Sequence, residues 1–254
     1  MSSSSRSQSR RQPPKGQIRT AADRRAIREG CWWDASAADR VRDFFEGFLR
    51  HSKGEWAGKA FKLLRWQWQD VVRPLFAWKR PDGTRRFRKA YIEVPKKNGK
   101  STLASGIGLY MLCADGEQGA EIYSAAADRD QASIVHGEAL RMAEASEELA
   151  GCLKLNKSTR NILYESTNSW YRALSNEPAG KEGLNIHACI IDELHIWKGR
   201  ELWDTLRYGY RARRQPLQFV ITTAGDDDES ICYKELSGPG QFSRETSATT
   251  PTLL

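Results

Sequence analysis

The residues Asn98-Gly99-Lys100-Ser101 complete a pattern whose chemistry is the binding of phosphate groups. In the pattern G-x-x-x-x-G-K-[ST], backbone N–H groups at the start of a helix hold phosphate oxygens, the lysine reaches the outer phosphates and the hydroxyl group binds Mg²⁺. Val94 replaces the first glycine of this pattern. We therefore predict that Lys100 contacts phosphate and that Ser101 is a metal ligand. The predicted phosphate-binding residues are Pro95, Lys96, Lys97, Asn98, Gly99, Lys100, Ser101 and Thr102.

A second group of reactive side chains is the adjacent carboxylate pair Asp192 and Glu193, which follows the apolar run 186–191. At the carboxyl end of a strand, Asp192 could hold Mg²⁺ through water, and Glu193 could orient or deprotonate a hydrolytic water. The alternative is a solvated strand end without chemistry. The presence of the Lys100 loop in the same chain favours the first interpretation.

Two glutamines upstream of the loop, Gln67 and Gln69, could bind the base of a nucleotide. A carboxamide offers one donor and one acceptor, which can match complementary groups on a base edge. They could equally be surface glutamines beside Trp66 and Trp68, which would then belong to the core. Both interpretations stay open.

The elements that would position these residues alternate between strands and helices. Strands are predicted at 91–94, 121–126, 186–192 and 216–225, and helices at 101–113, 128–145 and 199–213. Short strands at 152–155, 161–164 and 171–174 would form an antiparallel excursion at the sheet edge. The predicted fold class is α/β, an open, mainly parallel sheet flanked by helices, with the chemistry at the carboxyl ends of the strands.

The composition limits the classes of protein to which the chain can belong. Its 254 residues, 39% of them apolar, can bury one large core. The net charge of +8 is concentrated in residues 1–30, where eight basic side chains oppose two acidic ones. A DNA-binding patch must therefore be argued locally. The basic cluster in residues 78–89 could contact phosphate or form a solvated turn.

The cysteines and the hydropathy exclude further classes. The five cysteines are scattered and form no C-x-x-C pair, which argues against a disulfide framework and against a zinc site. No apolar run approaches the roughly 20 residues that a spanning helix needs, and the N-terminus lacks the apolar core of a signal peptide. We expect four segments: a disordered basic tail (1–30), a helical segment packing on the main domain (31–60), the main domain (61–236) and a flexible tail (237–254).

Three motifs in this order and spacing resemble those of the large terminase subunits of tailed bacteriophages, the motors that package DNA into procapsids. The motifs are residues 94–101, 183–194 and 215–225. The resemblance implies a P-loop NTPase of the ASCE type that uses ATP and Mg²⁺. Lys100 and Ser101 would bind phosphate and the metal, Asp192 would order the metal, and Glu193 would activate water.

The resemblance also gives functional roles to residues that the sequence patterns alone do not identify. Thr222, Thr223 and Gly225 match the coupling motif, which would sense the γ-phosphate. Lys96 occupies a loop position where relatives commonly carry arginine, and Lys181 lies near the place of an arginine finger that acts on the neighbouring subunit. The residues implied to act in catalysis are Glu193, Lys100, Lys96 and Lys181.

The family also implies partners and an assembled state. The partners are double-stranded DNA, the portal protein of the procapsid and a small terminase subunit, and the assembly is a homo-oligomeric ring in the host cytoplasm without a membrane. A nuclease domain does not fit into the residues after 236, so we expect an ATPase motor domain without nuclease activity. The alternatives are a helicase-like P-loop DNA translocase and a catalytically weak interaction fragment of a truncated terminase.

Overall fold

The computed structural model describes residues 11–127, 129–174, 183–197, 199–223, 231–232 and 252–253. Its helices are α1 (Ala21–Arg28), α2 (Ala35–Phe48), α3 (Arg73–Ala77), α4 (Lys100–Cys113), α5 (Arg129–Glu144), α6 (Glu147–Cys152) and α7 (Glu201–Gly209). Its strands are β1 (Trp32–Trp33), β2 (Trp78–Lys79), β3 (Lys89–Glu93), β4 (Glu121–Ala125), β5 (Lys154–Asn156), β6 (Asn161–Tyr164), β7 (Ser169–Ala173), β8 (Ile186–Asp192), β9 (Leu217–Thr222) and β10 (Thr252–Leu253). None of the helices in this part of the chain combines the length and the apolar character that crossing a bilayer requires.

The centre of the fold is a sheet with the strand order β10-β3-β9-β8-β4-β7-β6-β5. The run from β3 to β7 in this order is parallel, whereas β10, β6 and β5 pair antiparallel with their neighbours. The predicted α/β class with an open, mainly parallel sheet is confirmed. The antiparallel excursion is also present, because β5 and β6 extend the edge beyond β7.

The position of β9 between β3 and β8 brings three strand ends together. In the register of the sheet, Glu93 pairs with Thr222 and Asp192 pairs with Ile221. The loop after β3, the acidic pair at the end of β8 and the end of β9 therefore lie at one edge of the sheet. In open α/β sheets this carboxyl edge is where ligands bind.

The two faces of the central strands belong to two separate apolar clusters. Successive side chains of a strand point to opposite faces. Accordingly Ile190 and Phe219 lie in the cluster shared with α2, α4 and α5, whereas Ile191 and Val220 lie in the cluster shared with α7. Burial on both faces explains why β8 and β9 are nearly continuous apolar runs in the sequence.

The basic turn that precedes β3 is partly an internal structural element. Arg85 is fully buried, and its Nη1 donates to both carboxylate oxygens of Asp115 at 2.5 and 2.7 Å. His187 Nε2 lies 2.9 Å from the same carboxylate, at the start of β8. Arg85 holds the pKa of Asp115 below its ordinary value, although burial acts to raise it. Arg85 therefore neutralises a buried charge, and phosphate contact is excluded for this residue.

The prediction of a disordered tail over residues 1–30 is wrong for residues 11–30. Helix α1 begins with a capping box, in which Thr20 accepts from the backbone of Asp23 and the Asp23 carboxylate accepts from the backbone of Thr20. Asp23 also forms a 2.7 Å ion pair with Arg86. The capping box stabilises the start of the helix, and the pair with Arg86 joins the helix to the turn before β3. The first ten residues lie outside the described part of the chain.

The second predicted tail, residues 237–254, also contains an ordered piece. Thr252 and Leu253 form β10 and pair antiparallel with Tyr91 and Ala90 of β3. The prediction of a flexible tail is wrong for these two residues, because the free edge of β3 offers backbone groups for pairing.

A glycine on α4 allows the helices on one face to approach each other closely. A Cβ atom on Gly106 would lie 2.5 Å from Cε1 of Phe45 and 3.0 Å from Cδ1 of Leu49. Both partners are fully buried. A larger residue at this position would therefore force α4, α2 or these side chains to shift.

We expect Gly106→Ala to lower the free energy of unfolding by about 1–3 kcal/mol, since the added methyl group overpacks the core. Gly47→Ala is the matched control, because Gly47 lies in α2 with no atom within 4 Å of its would-be Cβ. In a helix this control substitution is expected to stabilise by up to about 1 kcal/mol. Urea denaturation of both variants makes the comparison, and equal effects would contradict the packing explanation.

Candidate functional site

The loop between β3 and α4 is exposed and ends directly at a helix N-terminus. Lys97 and Gly99 adopt left-handed conformations, with φ of 67° and 70°. The Asn98 side chain donates to the carbonyl of Pro95 at 3.2 Å and so closes the loop. Val94, at the start of the loop, is tied to β9 through backbone hydrogen bonding. Such a turn at the start of a helix presents backbone N–H groups to an anion.

Lys100, the first residue of α4, points inward and is paired with Glu193. Its side chain is 7% exposed, and its Nζ donates to Glu193 Oε1 at 2.9 Å. Glu193 adopts a left-handed conformation with φ of 47°, and its N–H donates to the carbonyl of Ile221 at 3.0 Å. A non-glycine residue in this region costs of order 1 kcal/mol or more and is held only by its surroundings.

The second oxygen of Glu193 faces the end of β9. Glu193 Oε2 accepts from the backbone N–H of Thr223 at 3.2 Å and from its hydroxyl group at 3.1 Å. Burial acts to raise the pKa of Glu193, but the hydrogen bonds from Lys100 and Thr223 hold it below its ordinary value. Glu193 is therefore an ionised carboxylate in which both oxygens accept hydrogen bonds.

The neighbouring carboxylate has the opposite character. Asp192 ends β8, and its Oδ1 accepts from the N–H of Glu193 at 3.0 Å. Burial, and then the charge of Glu193, raise the pKa of Asp192 to about 6, while Lys100 opposes the shift. Two adjacent carboxylates thus have environments that move their pKa values apart, which is common at functional sites.

A histidine that sequence reasoning missed completes this cluster. His195 Nδ1 lies 2.9 Å from Thr222 Oγ1 and 3.3 Å from Glu193 Oε2. The Thr223 hydroxyl lies 3.3 Å from its Nε2. The signal in the sequence is its place two residues after Glu193, in the 3₁₀ turn Leu194–Ile196 that returns towards β9.

The structure separates the two upstream glutamines. Gln67 is buried beside the phosphate loop, where a Cβ on Gly99 would lie 3.5 Å from its Nε2. Its Oε1 already accepts from the N–H of Leu64 at 2.9 Å. Gln69 lies further out, and its Oε1 accepts from Arg73 at 3.3 Å. Both glutamines belong to the π-helical stretch Gln67–Val72. Gln67 is next to the loop, whereas the backbone carbonyl of Gln69 accepts from Gln17.

The remaining predicted residues are divided between the loop and the undescribed parts of the chain. Lys96 is exposed in the loop, and Ser101 and Thr102 are half-buried in the first turn of α4. Lys181 and Gly225 lie outside the described residues.

The described residues provide oxygen donors for a metal ion without forming a closed metal cage. No group of three or more His, Cys, Asp or Glu side chains in the described ranges could hold a metal ion. The hydroxyl of Ser101 and the carboxylate of Asp192 are the hard oxygen ligands that Mg²⁺ prefers, and Mg²⁺ commonly uses few protein ligands together with phosphates and water. The donor set therefore fits Mg²⁺.

Comparisons with known proteins agree on one family. The family model for the ATPase domain of the terminase large subunit matches residues 66–238. The terminase large subunit of Enterobacteria phage HK97 is 29% identical over 196 residues, which are 76% of this chain and 38% of that protein. Protein YmfN of Escherichia coli K12 is 42% identical over 52 residues, 20% of this chain and 11% of that protein.

The fold comparison gives the same result. The crystal structure of the HK97 bacteriophage large terminase superposes with a TM-score of 0.65 at 28% identity, over 77% of this chain and 39% of that chain. This chain therefore spans less than half the length of these relatives.

The Lys100–Glu193 pair predicts a measurable coupling in the protein without nucleotide. In a double-mutant cycle with Lys100→Met and Glu193→Gln, we expect a coupling free energy of about 1–3 kcal/mol, since the lysine is buried. The exposed pair Lys154–Glu165 is the matched control, with an expected coupling of about 1 kcal/mol or less. Denaturant unfolding measures both cycles. A coupling no larger than that of the control would contradict this geometry.

Proposed function

Because the chain belongs to the family of terminase large subunit ATPase domains, we propose that it hydrolyses ATP and couples hydrolysis to the movement of double-stranded DNA into a procapsid. The observation that carries the proposal is the convergence of Lys100, Glu193 and Thr223 at the ends of α4, β8 and β9. These side chains connect the phosphate loop, the water-activating carboxylate and the coupling strand. The helicase-like and non-catalytic alternatives are not favoured by the family.

A nucleotide bound in the phosphate loop would change the partner of Lys100. In the arrangement without nucleotide, the ammonium group neutralises Glu193. A triphosphate in the loop between Pro95 and Thr102 carries more negative charge and would attract the ammonium group more strongly. Glu193 would then be released to orient the attacking water as a general base. The Lys100–Glu193 ion pair therefore belongs to the state without nucleotide, and nucleotide binding would break it.

Ser101 and Asp192 would hold Mg²⁺, which when bound neutralises charge on the phosphate oxygens. Ser101 supplies its hydroxyl from the first turn of α4, and Asp192 supplies its carboxylate from the end of β8. Lys96 in the loop and Lys181 from a neighbouring subunit would add positive charge near the transferred phosphate. Both are lysines, which provide point charges without the bidentate fork of arginine.

Thr222, Thr223 and Gly225 would couple the state of the phosphate to movement of the motor. Thr223 contacts Glu193 directly, so any change in the position of this carboxylate alters the end of β9. His195 would position the same carboxylate from the other side. A second hydrogen-bond arrangement of Glu193 at this strand end would provide the two-state element that coupling requires.

The assembled motor is proposed to be a homo-oligomeric ring in the host cytoplasm, bound to the portal protein of the procapsid and supplied with DNA by a small terminase subunit. In a ring, Lys181 of one subunit would reach the nucleotide of the next. Gln67, whose Nε2 lies beside Gly99, would be the glutamine that contacts the base.

We expect Lys100→Ala and Glu193→Gln each to lower kcat for ATP hydrolysis at least about 100-fold, because they remove phosphate charge stabilisation and the general base. Glu193→Gln should keep ATP binding, whereas Lys100→Ala should weaken it. Phosphate release and calorimetric titration measure the two effects. Lys154→Ala and Glu165→Gln are matched controls on the distant sheet edge and should not change turnover. Turnover that survives both site substitutions would refute the assignment.

The motor function predicts a dependence on assembly. We expect specific ATPase activity to rise with protein concentration and to rise further when procapsids that carry portal protein are added. The same preparation should not separate the strands of a forked duplex. Strand separation without procapsid stimulation would instead support a helicase-like translocase.

A further inference from the structure

Four exposed arginines lie at the edge of the sheet opposite the phosphate loop. Arg207 and Arg211 are at the end of α7, Arg214 precedes β9, and Arg88 precedes β3. Strands β3 and β9 are parallel and start side by side, so the residues before them meet at the amino edge, whereas the phosphate loop follows the carboxyl end of β3. The four side chains, together with Tyr208, are named the arginine surface below.

Direct contacts hold the parts of the arginine surface in place. Arg88 Nη2 donates to the carbonyl of Arg214 at 2.6 Å. The guanidinium group of Arg211 lies 4.7 Å from the ring centroid of Tyr208, whose side chain is 64% exposed. The backbone N–H of Arg211 donates to the carbonyl of Tyr208 at 3.3 Å. A guanidinium group that stacks through its planar face keeps the N–H groups at its edge for other partners.

The positive charge of this surface is not neutralised within the described part of the chain. None of the four arginines forms an ion pair with a carboxylate of the described residues. The neighbouring Arg213, by contrast, is turned inward and pairs with Glu117 at 2.8 Å. Residues 205–223 contain no acidic side chain at all. The charge of the surface is therefore available to a ligand.

One acidic residue, Asp82, borders the surface in the turn before β3. Arg214 Nη2 donates to the backbone carbonyl of Asp82 at 3.2 Å. The Asp82 carboxylate instead accepts from the backbone N–H and the hydroxyl group of Thr84, at 2.9 and 2.7 Å. Since a guanidinium group has five N–H donors, Arg214 keeps donors for an external anion.

Several arginines at a helix end and at two strand starts match a ligand with repeated negative charges. A single phosphate group occupies one or two guanidinium groups, whereas duplex DNA carries one negative charge per roughly 1.7 Å of its axis. Arginine binds phosphate oxygens through two parallel N–H bonds, and tyrosine hydroxyl groups also contact the phosphates and sugars of DNA. The composition of the surface therefore favours the backbone of a double-stranded nucleic acid as its ligand.

We propose that the arginine surface binds the phosphate backbone of double-stranded DNA, with Arg88, Arg207, Arg211 and Arg214 as the residues that contact phosphate. This inference rests on the proposed motor function for the identity of the polyanion. It adds the place on the domain where DNA lies, which is the edge of the sheet away from the nucleotide.

Strand β9 connects this surface to the nucleotide site. Arg214 lies shortly before the first residue of β9, and Thr223, directly after its last residue, donates to Glu193. The strand has six residues, all of them buried, and is about 20 Å long. A strand packed on both faces moves as a unit, because the close-packed interior transmits displacement. A shift of Thr223 would therefore reach the residues that hold DNA.

The test measures the affinity of the full chain for a fluorescent DNA duplex by anisotropy, over a series of salt concentrations. Arg207→Gln, Arg211→Gln and Arg214→Gln should each weaken binding about five- to tenfold at 0.1 M salt, because one released counterion is worth a factor of about eight there. Each substitution should also reduce the slope of log K against log salt by about one. Arg211→Lys keeps the charge and should keep the slope.

Two exposed cations that are paired elsewhere on the molecule provide matched controls. Arg25 pairs with Glu29 at 3.7 Å, and Lys157 pairs with Glu144 at 2.7 Å. Arg25→Gln and Lys157→Gln remove the same unit of charge and should change the affinity less than about twofold, since distant exposed charges are screened. The urea midpoint of every variant should match that of the unaltered protein, because the substituted side chains are exposed.

Equal salt slopes in the arginine variants and the controls would overturn the inference while leaving the ATPase proposal intact. An unaltered protein that hydrolyses ATP but does not bind the duplex would do the same. Polyglutamate is the second probe: if it binds more tightly than the duplex, and loses affinity in the same variants, the surface belongs to an acidic protein and the inference is wrong. Basal ATP hydrolysis should be equal in Arg207→Gln and the unaltered protein, and its absence from both would refute the proposed ATPase without affecting the DNA comparison.

Discussion

The ion pair between Lys100 and Glu193 is the contact on which the arrangement of the site depends. A buried ammonium group is tolerated only with a charged partner in hydrogen-bond contact. To supply that partner, α4 must begin directly beside the end of β8, although β3 and β8 are not neighbours in the sheet. The left-handed backbone of Glu193 turns its carboxylate back towards Lys100 and β9. Strand order, loop conformation and backbone strain are thus linked by one pairing.

Strand β9, which lies between β3 and β8, connects this ion pair to the end of a buried strand. Because β9 separates β3 from β8, Glu193 can contact Lys100 through one oxygen and Thr223 through the other. In the proposed function, a carboxylate that lost Lys100 to a phosphate would rearrange next to Thr223. The change is small, but it occurs at the end of a fully buried strand, and packed strands shift between discrete positions rather than deforming gradually. This is the physical basis on which a phosphate-dependent signal could leave the site.

The parts of the structure that the sequence predicted are those specified by local or strongly periodic patterns. Strands such as β8 are continuous apolar runs because both faces are buried, and the loop before Lys100 carries a recognisable spacing of glycine, lysine and hydroxyl residues. The missed features depend on contacts between distant residues. The helix α1 is held by Asp23 and Arg86, His195 is defined by its distance to Thr222, and β10 forms by pairing with β3. Composition does not encode such long-range partners.

The positive net charge is a second case in which the composition does not reveal long-range partners. Several arginines that suggest nucleic-acid contact are used within the fold: Arg85 neutralises Asp115, Arg86 pairs with Asp23, and Arg19 fixes the N-terminal segment. An arginine whose guanidinium group is committed to an internal carboxylate contributes little to an external field, because the two charges cancel over distances beyond their separation. Charge that acts outside the protein therefore comes from lysines and arginines that are not committed to internal carboxylates in this way.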